Sequence, residues 1–103
     1  MVKSRRGAKG YNIQSLPYKT RVYINNQVLI PAQLARKLNL KRFTYARITL
    51  RHNDRNITIK VKLIKFRNTD SLQFTILKDV RRKYGIISGD EIEIVSITGL
   101  ENN

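Results

Sequence analysis

Two segments of the chain carry the same arrangement of apolar and basic positions. Val28 to Leu40 reads V-L-I-P-A-Q-L-A-R-K-L-N-L, and 46 residues further on Phe74 to Ile86 reads F-T-I-L-K-D-V-R-R-K-Y-G-I. Ile30 falls on Ile76, Leu34 on Val80, Leu40 on Ile86, Arg36 on Arg82 and Lys37 on Lys83. Each copy leads into an alternating run, Ala46 to Leu50 and Glu91 to Val95, and a two-residue difference in the connecting loop sets Ile48 against Ile92. A repeat constrains architecture before any single element does. Two copies suit one closed domain built of two similar halves.

Around the repeat the period switches between two and the helical 3.6. From Lys19 it is two: Thr20, Val22 and Ile24 point inward, and Lys19, Arg21 and Tyr23 outward. Asn25-Asn26-Gln27 is a turn, and Val28 to Ile30 returns as a short strand. Pro31 opens a helix where a missing N–H costs nothing. Leu34 and Leu38 form its inner stripe with Ala35 close by, while Gln33, Arg36 and Lys37 face out. Tyr45 to Arg51 alternates again, with Ala46, Ile48 and Leu50 inward and Tyr45, Arg47, Thr49 and Arg51 outward. His52 to Asn56 is a polar turn. Ile57 to Leu63 buries Ile57, Ile59, Val61 and Leu63 and exposes Thr58, Lys60 and Lys62.

Leu72 to Ile76 is the strand before a second helix, Leu77 to Tyr84, whose inner face carries Leu77, Val80 and Tyr84. Asp79 in its first turn and Arg81, Arg82 and Lys83 in its last complement the helix dipole, and Gly85 caps it. Glu91 to Ile97 is the final strand. The order is strand, strand, helix, strand, twice over. The chain is therefore expected to be mostly β with two short helices, its half-repeats (19–51 and 57–97) closing their free edges into a six-stranded barrel over residues 19–98. A basic N-terminal tail, residues 1–18, precedes it and a frayed tail, 99–103, follows it.

Charge changes this picture from a fold to a partner. The 103 residues hold 21 Lys or Arg against 7 acids, a net +14. Met1 to Asn53 has 12 bases and no acid, whereas Asp54 to Asn103 has 9 against 7, so the halves carry +12 and +2. A field of that size and asymmetry points to a polyanion, nucleic acid before an acidic membrane. The tail contributes Lys3, Arg5, Arg6 and Lys9, with Tyr11 and Tyr18 available to stack on bases. The longest uncharged run, Val22 to Ala35, is 14 residues with five polar or proline positions, too short and polar for a membrane span. The basic N-terminus lacks the apolar stretch of a secretory signal. With no cysteine, disulfides and thiolate metal sites are excluded, which suits a cytoplasmic protein.

The hairpin running into L-I-P-A-Q-L-A-R-K-L-N-L, and then F-T-I-L-K-D-V-R-R-K-Y-G-I-I-S-G-D-E-I-E-I, resembles the AbrB, MazE and SpoVT group of swapped-hairpin proteins. The second copy keeps that group's Arg81, Arg82, Tyr84, Gly85, Ile86, Gly89 and Asp90 but has Leu77 in place of its proline. The first keeps Ile30, Pro31, Leu34, Arg36, Leu38 and Leu40 but has Asn39 in place of its glycine, and K-R-F-T-Y in place of its acidic turn. Members of the group dimerise one half-unit. A chain holding both halves looks more like the single-chain cradle-loop (RIFT or double-psi-like) barrels of archaea. Within the resemblance, DNA-binding members use hairpin arginines in a symmetric dimer. Here the matching positions are Lys19 and Arg21 in one half against Lys60, Lys62 and Lys65 in the other.

Catalysis has no foothold. The lone histidine, His52, reads as a surface hydrogen-bonding residue beside Asp54. Asp90, Glu91 and Glu93 lack the ligand count of a calcium loop and suit a solvated face or an internal match for the basic half. No phosphate-cradling glycine motif is present, and no cofactor or small-molecule substrate is implied. Binding remains, by Lys3, Arg5, Arg6, Lys9, Lys19, Arg21, Arg36, Lys37, Lys41, Arg42, Arg47 and Arg51 on phosphates, with Tyr23 and Tyr45 on bases. Three roles fit: a structural RNA-binding component of a ribonucleoprotein such as the archaeal ribosome, with neighbouring ribosomal proteins as further partners; an AbrB-like DNA-binding regulator; and a protein-binding adaptor. RNA is favoured over DNA because the arm and the asymmetric body suit no palindrome.

Overall fold

Each copy of the repeat forms the elements its pattern predicts, and the two copies pair mainly with each other. The structure, a computed structural model, describes Ile13 and residues 15–101. The first half contributes β1 (Tyr18–Arg21), β2 (Gln27–Ile30), α1 (Ala32–Lys37), a single 3₁₀ turn at Leu40–Arg42 and β3 (Tyr45–His52). The second contributes β4 (Arg55–Lys62), β5 (Ile64–Lys65), β6 (Leu72–Thr75), α2 (Lys78–Tyr84) and β7 (Glu91–Leu100). One antiparallel sheet has the order β1-β7-β3-β4 and the other β2-β6-β5.

The register carries the repeat into three dimensions. Val28 pairs with Phe74, its own counterpart at the 46-residue offset. Leu50 pairs with Ile94 at the offset that sets Ile48 on Ile92. Equivalent residues face each other in both sheets, so a pseudo-twofold axis passes through the two pairs. Local geometry follows the same relation. Asn39 and Gly85 are equivalent and both left-handed, at φ 55° and 68°, a conformation asparagine tolerates and glycine adopts freely. Pro31 and Leu77 are equivalent helix N-caps in extended geometry.

The inward positions of both sheets form the core. Ile30, Ile48, Leu50, Leu72, Phe74, Ile76 and Ile94 have no exposed surface, and burying a side chain of that size contributes roughly 1.5–3 kcal/mol. Leu34, Ala35 and Leu40 close one end of the core and Ile86 adds to it. Alternation along β3 is as expected: Ala46, Ile48 and Leu50 are buried, and Tyr45, Arg47 and Arg51 exposed.

Several expectations fail for identifiable reasons. The described residues form seven strands and not six, because the fourth bends at Leu63, whose N–H donates to the Thr44 carbonyl, and its continuation enters the other sheet as β5. No strand pairing among the described residues closes the two sheets into a barrel. Ile24, expected inside, is 92% exposed: β1 ends at Arg21, and residues 23–26 form a tight turn held by Tyr23 and Gln27. Leu77 is the N-cap of α2, outside its inner face, and is 61% exposed; Val80 and Tyr84 are half-buried. Gln33 and Ile59 are also only half-buried.

The ends differ too. Tyr18, placed by sequence in the tail as a stacking residue, is buried in β1 and donates its hydroxyl to the Leu29 carbonyl at 2.8 Å. Burial, with Tyr23 as a smaller contributor, pushes that phenol above its ordinary pKa. Ile13 and Leu16 pack on the core. At the other end Gly99 and Leu100 are paired with Ala46 and Tyr45 instead of fraying. Lys3, Arg5, Arg6, Lys9 and Tyr11 lie outside the described residues.

Gly99 is required by a close approach: ring atoms of Phe43 occupy the position a Cβ would take there. Gly99→Val should cost about 1–3 kcal/mol in urea denaturation, the range for forced overpacking. In a double-mutant cycle with Phe43→Ala, most of that cost should disappear. Additive costs would show that the ring is not what the glycine accommodates.

Candidate nucleic-acid interface

The outer face of the four-stranded sheet divides by charge. On one side Lys19 lies opposite Glu93 and Arg21 opposite Glu91, and Glu93 also faces Arg51 across β3. Arg51 is further within 3.6 Å of Asp54, and Arg21 donates to the Gly89 carbonyl at 3.0 Å. Each of these three bases, expected to bind phosphate, has a glutamate at a facing strand position, and Arg51 is also ion-paired to Asp54 and Arg21 held by the backbone. Opposite charges on facing positions stabilise the sheet, each pair by a fraction of a kcal/mol.

The β3–β4 side is different. Tyr45 faces Lys62, Arg47 faces Lys60, and Thr49 faces Thr58, their hydroxyls 2.9 Å apart. On the β7 side Arg47 faces Thr98. Among the described residues no carboxylate is within ion-pairing distance of Arg47, Lys60 or Lys62. Like charges directly opposite destabilise a sheet, so the Arg47·Lys60 pair is kept at a cost to the fold. Lys60 also lies 4.9 Å from the centre of the Tyr45 ring, a cation–π contact that orients the ring. Lys60 and Lys62 were legible as outward residues of an alternating strand. Their place beside Arg47 was not, because it depends on which strand β4 pairs with.

The remaining expected residues scatter. Arg36 and Lys41 converge on Asp70 at 3.1 and 2.8 Å, and Arg42 reaches Glu101 at 3.3 Å while lying over the Phe43 ring. Lys41, then Arg36, hold the Asp70 carboxyl below the usual range. All three pairs are exposed, where such contacts contribute little to stability. Lys37 is exposed on α1, and Tyr23 is 42% exposed on the β1–β2 turn, away from the β3–β4 face.

His52 is not on the surface. It is the last residue of β3, buried, with Nε2 2.9 Å from Asp90 Oδ2. The same oxygen accepts the Ile87 N–H at 3.0 Å. This latch ties the turn before β7 to the end of β3 through a single carboxylate oxygen of Asp90. No group of three or more metal-ligating side chains occurs among the described residues.

The Ile87 N–H and then the His52 imidazole hold the Asp90 carboxyl below the usual carboxylate range. Its contribution to stability is therefore complete above the unfolded value of about 3.9 and is lost as pH falls through the lower native value. Asp90→Asn should lower the urea midpoint at pH 7 and lose less further stability than the wild type between about pH 4 and 2. Parallel acid profiles for the two proteins would place the linkage elsewhere.

No family model matches this chain, and the comparisons with curated proteins and with solved structures found no match.

Proposed function

We propose that this protein is a non-enzymatic RNA-binding protein, a structural component of a ribonucleoprotein, that engages the phosphate backbone through the outer face of β3 and β4. The observation that carries the reading is Arg47 opposite Lys60, with Lys62 beside them and no carboxylate among the described residues within ion-pairing distance. Its cost is recovered when an anion sits between them. The net charge of +14 supports the same reading, since it draws any polyanion to the surface.

We take the body to be related to the single-chain cradle-loop barrels of the AbrB-like type, its two sheets sharing one core and linked by the bend at Leu63, without a closed ring of paired strands among the described residues. Pairing of equivalent residues about a pseudo-twofold axis, and the bend that carries β4 into β5, support it. The same symmetry argues against a palindrome reader. The two faces it relates are no longer alike: Glu91 and Glu93 stand opposite the bases of one, whereas lysines and threonines stand opposite Tyr45, Arg47 and Thr49 on the other. A rigid chain with unequal faces suits a fixed place in an asymmetric particle better than a symmetric DNA site.

Titration of a labelled single-stranded RNA by fluorescence anisotropy, repeated across salt concentrations, tests the site. Each backbone phosphate neutralised contributes about 0.7 to the slope of log affinity on log salt. Arg47→Gln with Lys60→Gln, which together hold one phosphate, should make that slope shallower by about 0.7 and leave the melting temperature unchanged or higher. Lys19→Gln with Arg21→Gln should change affinity much less. The reverse ranking would move the interface to β1.

A further inference from the structure

Where β4 bends into β5 the two sheets part, leaving a concavity of about 330 Å³ beside the basic face. Tyr45, Lys60, Lys62, Ile64, Thr75 and Leu77 line it, over the side of Val61. Its surface is mostly apolar, and among the described residues its charged groups are both lysines, with no acid. Two of the few large apolar side chains left exposed by the fold, Tyr45 at 36% and Leu77 at 61%, meet here.

The pseudo-twofold axis supplies an internal control. Leu29 and Pro31 are the counterparts of Thr75 and Leu77 at the 46-residue offset. They line the corresponding concavity of the first half, with Tyr23, Ala32, Thr69 and Ser71. That concavity has no cation, and its proline is buried. The second half thus differs at the same place in two ways: a protruding leucine stands where the first half has proline, and lysines stand at the rim. An apolar slot with an aromatic lip and cations at its edge matches a flat, uncharged ring attached to a phosphate.

We infer that this concavity receives one unpaired nucleotide of a single-stranded RNA, its base against Leu77 and the Tyr45 ring and its flanking phosphates on Lys60 and Lys62. The inference rests on the proposed phosphate-binding face and adds to it a preference for unpaired over duplex RNA. A duplex keeps its bases stacked inside and offers the slot nothing to fill it, whereas an unstacked base presents its face to aromatic and apolar side chains.

The test uses the full chain and three labelled probes read by anisotropy: a ten-nucleotide oligouridine, the same ribose-phosphate backbone without bases, and a blunt RNA duplex. Oligouridine should bind about tenfold tighter than the abasic backbone, the equivalent of one base stacked. Leu77→Ser, at a position exposed enough to spare the fold, should remove that preference and leave abasic and duplex affinities within about twofold. Tyr45→Ala should remove the preference as well and, because its ring holds Lys60, also weaken binding of all three probes, as Lys60→Gln should. Equal binding of the three probes by the wild type, or an unchanged preference in Leu77→Ser, would overturn the base pocket and leave the phosphate face standing. Absence of salt-dependent binding to every probe would overturn both. Leu77-dependent binding to phosphatidylserine vesicles, with RNA affinity unaffected by the variant, would overturn the pocket in favour of a lipid surface.

Discussion

Neither half of this chain can bury its own apolar faces, and the pairing of β3 with β7 is what resolves that. A strand with Ala46, Ile48 and Leu50 on one side needs a second layer and two occupied edges. β3 finds β7 along one edge and β4 along the other, both from the second half. β7 in turn takes β1 from the first half. Every partner in the larger sheet is supplied by the other copy. The Leu50·Ile94 pair at its centre lies fully buried against a second sheet organised around Val28·Phe74. Unpairing either centre would expose the apolar sides of both halves together, which makes the duplicated unit a single cooperative body.

The same pairing distributes the charge. β7 carries Glu91 and Glu93 to the outer face and is flanked by β1 and β3, so Lys19, Arg21 and Arg51 acquire acidic neighbours. Among the described residues β4 pairs with β3 alone, and it places Lys60 and Lys62, not a carboxylate, opposite Arg47 and Tyr45. An acid-free first half in sequence therefore does not become an acid-free surface. The bare patch straddles the two halves, from Tyr45 and Arg47 to Lys60 and Lys62. This is why the proposed interface keeps two of the residues singled out from sequence, moves away from several others, and gains two lysines of the less basic half.

Departures from strict symmetry fall at a few definite places. Leu77 replaces a proline and stays exposed, whereas its counterpart Pro31 is buried. The His52–Asp90 latch joins the end of β3 to the turn entering β7. At the related place, where the chain enters β3, Thr44 receives the Leu63 N–H, as the Asp90 carbonyl receives that of Val22. The backbone bonds are alike in the two halves. The side chains above them are not: among the described residues lysines edge the apolar concavity of the second half and not the related one of the first.

The sequence by itself determined the local code: two copies of one unit, the alternation of β3 and β4, the helix starts at Pro31 and Leu77, and the cap at Gly85. These are legible because each depends on neighbours a few residues away, through side-chain period or backbone dihedral preference. Tertiary structure decided what depends on distant partners. The extra residue near Val95, which shifts the β3–β7 register between Thr49 and Leu50 and turns Ile97 inward, follows from how two strands meet. So do the bend at Leu63, the burial of Tyr18 and His52, the exposure of Ile24 once β1 has ended, and the anchoring of Gly99 beneath Phe43. Charge obeys the same division. How many cations the chain carries is a property of its sequence, but which of them meet a carboxylate is decided by strand pairing, because a Coulomb interaction depends on distance in space and not along the chain.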